Sequence, residues 1–405
     1  MVSTVYIAKN VYGGDGLGRL GDGRVVFVPG AWAGEQVRAE IVEEKRHFVK
    51  ARLVEVVEPS PERIPAGGSP SSPSSVPGMV YDGLSYKGEC EAKEAQLMEF
   101  FERARIHVPE IRQFKSQTSS NYRNKVVYHF ARQGGRWVIG YRLEPSHEIV
   151  DVLEDPLARP EINAKLPEIR RAVTTLLTTG PVPVRKDTER KGKVTVRWTK
   201  KSGVKWWLGE APADLVLKET TMGCDFEVPA GGFYQVNPEV GEELVREVVG
   251  GIAAHPTRKL LDLYCGVGVF GLCALKALGG AAELTGIESG RQAIEFARKN
   301  AASLKLQGAR FFAEEVGRNL RRISIGGETT VVVDPPRDGL EPGVAKWLTG
   351  SCAPTIYYVS CDPATLTRDL RELTKAYGVE KVRWFNMFPR TARFETVVKL
   401  VRKTV

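Results

Sequence analysis

Three patterns of apolar and polar residues follow one another along the chain. Over residues 1–58 they alternate in short runs, VYIAKN, RVVFVPG, EQVRAEIVEEK and VKARLVEVVE, separated by Gly, Asp and Pro as in GGDGLGRLGDG. A period of two bounded by turn formers marks half-buried strands, and this spacing predicts a small closed or partly closed antiparallel barrel. Such a barrel can present loops to single-stranded nucleic acid; the same pattern also suits an appended structural module. The stretch from Pro59 to Pro77 is dense in Pro, Ser and Gly, has no apolar period and reads as an extended loop or linker. A helix is predicted from Glu89 to Ala104, with Ala95, Met98, Phe101 and Ile106 near one face. Residues 120–215 alternate strand-like segments (NKVVYHFARQ, RWVIGYRL, KVTVRWTK, VKWWLGE) with one helix near 160–177, an α+β pattern. From about residue 231, strands at 259–265, 283–289, 309–315, 329–336, 355–361, 382–388 and 394–401 are separated by helical segments up to residue 376. That alternation predicts a parallel sheet with helices on both faces. The last two strands are joined too closely for a crossover and should pair antiparallel. The chain thus divides into 1–58, 59–230 and 231–405.

Bulk properties narrow the partners. A length of 405 residues suits two or three domains, and 42% apolar with 26% charged residues is the composition of an ordinary globular protein. No apolar run is long enough to span a bilayer. The start, MVSTVYIAKNVYGG, lacks the basic opening and apolar core of a secretory signal, so a cytoplasmic location is expected. The net charge of +9 favours a polyanionic partner through phosphate contacts and counterion release. Between Arg185 and Lys205 nine Lys or Arg residues face two acidic ones, with Trp198, Trp206 and Trp207 interleaved. Cations for phosphate and aromatics for stacking suit RNA; the same residues suit a solvated hairpin whose tryptophans pack inward. The six cysteines show neither a C-x-x-C pair nor zinc spacing, so no metal site or disulfide framework is expected, and most thiols should be small buried residues.

Candidate chemistry gathers where strands of the third region end. The strand at 259–265 runs straight into Cys265-Gly266-Val267-Gly268, glycines that let a ligand approach the backbone at the carboxyl end of a first strand. The next strand ends in Glu288, about twenty residues on, where a carboxylate can accept from both hydroxyls of a ribose. Asp262 ahead of the glycines would repel a pyrophosphate but suits a cationic sulfonium ligand bearing an amino group, which favours S-adenosylmethionine over NAD. The fourth strand ends Asp334-Pro335-Pro336-Arg337, with Arg337 where amine methyltransferases carry an aromatic ring; paired prolines also simply terminate strands. The fifth ends Ser360-Cys361-Asp362-Pro363, a thiol placed where the following helix start can stabilise a thiolate. Glu395, opening the last strand, is either a surface residue or a base reaching the cleft of Cys361.

Together these pieces resemble one family, the RNA 5-methyluridine methyltransferases, which modify tRNA or large-subunit ribosomal RNA. The resemblance is carried in order by Phe233-Tyr234-Gln235-Val236-Asn237, Asp262-Leu263-Tyr264-Cys265-Gly266-Val267-Gly268, Asp334-Pro335-Pro336-Arg337, Ser360-Cys361-Asp362-Pro363 and Phe394-Glu395-Thr396. Residues 1–58 look like the OB-like TRAM barrel of many members, and Asn121-Tyr122-Arg123-Asn124-Lys125 resembles a segment of their central α+β RNA-binding domain. The resemblance implies a class I Rossmann-like methyltransferase domain with a seven-stranded, mostly parallel sheet. It implies Cys361 as nucleophile and Glu395 as base, with Gln235, Tyr264, Gly266, Gly268, Glu288 and Asp334 around S-adenosylmethionine and the target base. The uridine would be flipped out of a structured RNA, with the two N-terminal modules supplying RNA affinity and the catalytic domain only the pocket. Many bacterial members hold an iron–sulfur cluster on four cysteines; here the corresponding stretches, Ala66-Gly67-Gly68-Ser69 through Pro77-Gly78-Met79-Val80 and Glu154-Asp155-Pro156, contain none, so no cluster is expected. Two other readings remain: an RNA 5-methylcytosine methyltransferase, which would carry a second Cys after the proline where Arg337 stands, and a non-catalytic RNA-binding protein on a methyltransferase fold.

Overall fold

A computed structural model of the protein describes residues 2–64, 76–143, 146–179, 192–320 and 323–404. The centre of the expected linker, including Ala66 to Ser69, and the first part of the basic stretch from Arg185 lie outside the described residues. Strands β1 (Val2–Asn10), β2 (Gly16–Arg19), β3 (Val25–Val28), β4 (Gln36–Glu44) and β5 (Phe48–Glu58) close a barrel in the order β1-β2-β3-β5-β4. Their alternation puts Val5, Ile7, Val26, Val28, Val37, Val49 and Leu53 inside. One pair departs from the antiparallel expectation: β3 and β5 run parallel, Val26 opposite Val49. The reason is parity, since an odd number of strands cannot close a ring with every neighbour reversed.

Helix α1 (Tyr86–Ala104) and strand β6 (Ile111–Phe114) follow. Then come β7 (Lys125–Gln133), β8 (Arg136–Arg142), β9 (Ile149–Asp151), α2 (Pro160–Thr179), β10 (Gly192–Thr199) and β11 (Gly203–Leu208). The latter form a five-stranded sheet, β11-β10-β7-β8-β9, against which α2 packs Ile162, Leu166, Ile169 and Val173. Trp207 is buried beside Leu217 and Ala230, while Trp198 and Trp206 pack against the core of this sheet, with Arg159 stacked 3.9 Å over Trp198. The tryptophans of the basic stretch therefore point inward.

A hairpin, β12 (Val216–Thr221) and β13 (Cys224–Pro229), leads into α3 (Pro238–Ala253), β14 (Lys259–Leu263), α4 (Val269–Ala277), β15 (Glu283–Glu288), α5 (Arg291–Ser303), β16 (Ala309–Ala313) and α6 (Val316–Asn319). The chain ends with β17 (Thr329–Val333), α7 (Val344–Thr349), β18 (Thr355–Ser360), α8 (Pro363–Leu373), β19 (Tyr377–Phe385) and β20 (Glu395–Arg402). The large sheet has the order β16-β15-β14-β17-β18-β20-β19-β6. Strands β14 to β18 are parallel, and β20 is antiparallel to both β18 and β19. The eighth strand, β6, was not foreseen; it adds parallel to β19 and covers that edge. Helices α3, α4 and α5 cover one face through Leu244, Val248, Leu272, Leu275, Ile294 and Ala297, and α1, α7 and α8 the other through Leu97, Phe101, Leu348, Leu366 and Leu370. Among the described residues no helix is long and apolar enough to cross a membrane.

The expected middle unit, 59–230, is not one packing unit. Both α1 and β6 join the large sheet, and the β12–β13 hairpin sends Cys224, Phe226 and Val228 into its first face. The helical pattern of α1 misled because its buried face carries Glu89, Lys93 and Gln96 beside Cys90 and Leu97, whereas Ala95 is exposed. Two of these polar residues are paired: Lys93 Nζ donates to Glu89 Oε1 at 2.7 Å and to Asn386 Oδ1 at 2.7 Å, and Glu89 accepts from the Arg390 backbone N–H at 3.0 Å. Cys90, Cys224, Cys265 and Cys273 are buried; Cys352 is exposed and Cys361 half-buried.

Candidate active site

Chain geometry at the end of β14 makes a cradle. Asp262, almost wholly buried, accepts from the Gly271 N–H of α4 at 2.9 Å through Oδ2, tying strand to helix, while its Oδ1 has no partner among the described residues. Tyr264 takes a left-handed conformation (φ 62°), and Gly268, the N-cap of α4, sits at φ 87° with Leu272 3.0 Å from where a Cβ would lie. Only glycine holds that position without strain. Across the turn, Glu288 at the end of β15 accepts from Gly290 N–H at 2.8 Å and faces the Gly266 N–H at 3.4 Å.

A cleft opens beside this turn, with about 680 Å³ of empty space that runs out into solvent, and Gln235, Tyr264, Gly266 and Asp334 line it. Gly268 and Glu288 adjoin it through the 264–268 turn rather than forming its wall. The wall also contains residues that the sequence reading did not assign to the site: Glu219 and Thr221 of the hairpin, and Phe233, 73% exposed, which entered only as part of a motif. Nothing in their spacing sets them apart; a hairpin reads the same whether or not it borders a ligand, and only an exposed aromatic after two glycines hints at Phe233. The loop bearing Gln235 is pinned by the middle sheet. Asn124 donates its backbone N–H to Val236 O at 2.9 Å, and buried Arg197 donates to Gly232 O at 3.1 Å and to Glu219 Oε1 at 3.0 Å.

Cys361 lies just beyond β18 and Glu395 opens β20, and these strands pair with Ser360 opposite Thr396. Asp334 follows β17, the other neighbour of β18. Burial, then the charges of Glu395 and Asp334, pushes the Cys361 thiol up to about 12, with Arg337 acting the other way. Burial and the Asp334 charge likewise hold Glu395 well above the usual carboxylate range. Asp262 and Asp334 are each raised to about 7, by burial first and then by a neighbouring carboxylate, Glu288 for the former and Asp262 for the latter. The expectation that the α8 start lowers the thiol's pKa is therefore corrected. Asp362 occupies that terminus, its Oδ1 accepting from Ala364 N–H at 3.0 Å and Thr365 N–H at 3.2 Å, so the helix dipole is already answered by a carboxylate.

A doubly covered, mostly parallel sheet with a glycine turn after its central strand, an acidic residue ending the next strand and further carboxylates at the same end defines an S-adenosylmethionine-dependent methyltransferase. The comparisons with known proteins narrow this class. The tRNA (Uracil-5-)-methyltransferase family model matches residues 213–403 and the TRAM domain model residues 2–54. A 23S rRNA (uracil(1939)-C(5))-methyltransferase RlmD of Alkalilimnicola ehrlichii is 30% identical over 94% of this chain and 93% of its own. An uncharacterized RNA methyltransferase of Thermosynechococcus vestitus is 29% identical over 96% of this chain and 95% of its own. The crystal structure of Pyrococcus abyssi tRNA (uracil-54, C5)-methyltransferase in complex with S-adenosyl-L-homocysteine shares the fold, with a TM-score of 0.74 at 24% identity, covering 98% of this chain and 100% of that one. The chain belongs to the RNA uracil-5-methyltransferase family. It is an enzyme, its methyl donor is S-adenosylmethionine, and its substrate is RNA.

Proposed function

We propose that this enzyme methylates carbon 5 of one uridine in a tRNA or 23S ribosomal RNA by covalent catalysis, with Cys361 as nucleophile and Glu395 as base. The observation that carries this reading is the meeting of Cys361, Glu395 and Asp334 at the ends of three adjacent strands, close enough that each carboxyl raises the proton affinity of the thiol. Gln235, Tyr264, Gly266, Gly268, Glu288 and Asp334 would hold the methyl donor and the target base. The donor set fits a cation: Asp262 keeps an unpartnered buried oxygen, and with Asp334 and Glu288 it surrounds the turn with carboxyl groups. S-adenosylmethionine, when bound, supplies an electrophilic methyl group to carbon 5.

Carbon 5 of uracil is a weak nucleophile. The Cys361 thiol gives up its proton to solvent, and addition of the thiolate sulfur to carbon 6 converts the base into an enolate with electron density at carbon 5, the position to be methylated. Burial and the charge of Asp334 favour the neutral form of Glu395, whereas Arg337 favours its carboxylate, the form that takes the proton from carbon 5. Breaking the carbon 6–sulfur bond then releases Cys361. A carboxylate such as Asp334 can accept from the N3–H of uracil, whereas cytosine presents a lone pair there; this, and Arg337 where a second cysteine would stand, favours uridine over cytidine. The base must leave its stack to reach the cleft, at a cost of a few kcal/mol offset by RNA contacts elsewhere.

Two variants test the reading. Cys361→Ala should abolish methyl transfer while binding S-adenosylmethionine normally, and Glu395→Gln should accumulate a covalent protein–RNA adduct that survives denaturing electrophoresis. Residual transfer by Cys361→Ala would overturn the covalent mechanism. Mass mapping of 5-methyluridine in tRNA and ribosomal RNA from cells lacking the gene names the RNA.

A further inference from the structure

At the seam between barrel and catalytic sheet lies a cluster that this mechanism does not use. Tyr12, in the turn between β1 and β2, reaches across 350 positions of sequence to Asp362. Its hydroxyl lies 3.3 Å from Asp362 Oδ2 and accepts from Arg393 Nη1 at 2.9 Å, and Arg393 Nη1 also donates to Asp362 Oδ2 at 3.0 Å. Asp362 follows Cys361 directly, and Arg393 stands two residues before Glu395. Three side chains thus lace together the two segments carrying the reacting groups and attach both to the barrel. The Tyr12 ring adds a second grip, edge-on to Phe394 at 6.0 Å and to Phe100 of α1 at 5.6 Å.

The turn that carries Tyr12 is built to hold still. Buried Asn10 donates to Gly14 O at 3.2 Å and Ala31 O at 2.9 Å, and its Oδ1 accepts from Ala33 N–H at 3.0 Å. From α1, Gln96 Nε2 donates to Asn10 O at 3.3 Å. Gly14, at φ 101°, sits so close to Val80 that a Cβ would lie 2.6 Å from that side chain. On the far side of the thiol, Asp362 N–H donates to Ser360 Oγ at 3.2 Å, so Cys361 is held between two fixed neighbours.

We propose that Tyr12 is a positioning residue of the catalytic centre: through its hydroxyl the barrel fixes Asp362 and Arg393, and with them the relative placement of Cys361 and Glu395. The proposal rests on the reading of those two residues as nucleophile and base. Charge-assisted hydrogen bonds give such a clamp its stiffness, and displacement of a reacting group by about 1 Å costs up to about a hundredfold in rate. The barrel then has a part in the chemical step that is separate from holding RNA.

Tyr12→Phe in the full-length enzyme removes the hydroxyl and keeps the ring contacts. With unmethylated tRNA and 23S rRNA transcripts as substrates, kcat at saturating RNA should fall about tenfold. KM for RNA, Kd for S-adenosylmethionine and Tm should stay within about twofold or a degree or two of wild type. In a Glu395→Gln background, the same substitution should slow adduct formation by a similar factor. Because the hydroxyl acts through Asp362, Tyr12→Phe combined with Asp362→Asn should be no slower than the slower single variant. An unchanged kcat, a raised KM with kcat intact, a parallel loss of donor binding and Tm, or additive losses in the double variant would each overturn the proposal. If Cys361→Ala retained activity, the catalytic assignment would fail first; if Cys361→Ala were dead and Tyr12→Phe as fast as wild type, only the clamp would fail.

Discussion

In the free enzyme the Cys361 thiol should be unreactive at neutral pH, and alkylation measures this directly. Its proton affinity corresponds to a pKa of about 12, set by burial and then by Glu395 and Asp334. At pH 8 an ordinary thiol is about one quarter ionised, whereas a thiol at that value is ionised to about one part in ten thousand, a ratio of about two thousand. The more basic thiolate is the better nucleophile, and a Brønsted coefficient of about 0.4–0.5 over about 3.5 pH units returns a factor of about forty. Cys361 should therefore react with iodoacetamide about fiftyfold more slowly than glutathione in the same tube, followed by mass spectrometry of its peptide. The thiolate fraction rises with pH, so the labelling rate should climb about tenfold per unit through pH 10. Asp334→Asn removes a charge that is largely present at pH 8, since Asp334 titrates at about 7. The thiol pKa then drops, and labelling should speed up by about threefold for each unit of the drop. Exposed Cys352 controls for reagent access. Labelling of wild-type Cys361 at the glutathione rate, or slower labelling in Asp334→Asn, would refute the reasoning and mean that the α8 terminus activates the thiol after all.

Two further outcomes follow from buried charge. Arg197→Ala leaves Glu219 buried without its cation and should cost about 3–5 kcal/mol, read as a fall in the denaturation midpoint, whereas the double change Arg197→Met with Glu219→Leu should cost less than either single change. Binding of cationic S-adenosylmethionine should weaken about tenfold between pH 8 and pH 6 by calorimetry, because Asp262 and Asp334, both raised to about 7, are neutral below that value and attract the ligand only above it. In the ligand-free protein the same raised values act in the opposite direction. The unfolded carboxyls ionise near 4, so stability contributed by the buried neutral forms is lost as pH rises from about 4 towards 7. Donor affinity independent of pH would sink that account.

How much of this was legible before the structure depended on what kind of signal each residue leaves. Strand ends leave a strong one: Glu288, Asp334 and Cys361 stand where an apolar run stops, Glu395 where one begins and Asp262 one residue inside the end of its strand, and the sheet topology brings these positions to one end. Long-range polar contacts leave none. Lys93 and Glu89 on the buried face of α1 looked like solvent positions because helical periodicity counts charges as exposed. Arg197 counted as one more cation in a basic stretch, yet it is 1% exposed and braces Glu219 in the wall of the cleft. The direction of the Cys361 shift was misjudged for a related reason. Position before a helix is visible in sequence, but that Asp362 turns back to cap that helix, and that two carboxyls face the thiol, is a property of three dimensions.

These hidden contacts also change the division of labour that the chain suggests. If the N-terminal modules only held RNA, their contacts with the catalytic unit would need to be no more than a joint. Instead, each sends polar groups to a wall of the site. From the middle sheet, Asn124 and Arg197 fix the backbone on both sides of Phe233 and Gln235. From the barrel, Tyr12 ties together the neighbours of Cys361 and Glu395. A neutral hydrogen bond of this kind contributes about 1 kcal/mol to stability and a charge-assisted one about 1.5–3 kcal/mol. The larger effect of the Tyr12 contacts is on geometry, since they fix the neighbours of Cys361 and Glu395 relative to one another. On the proposed mechanism, RNA held by the outer modules would be registered against the same parts that hold Cys361, so that recognition and chemistry would share one frame.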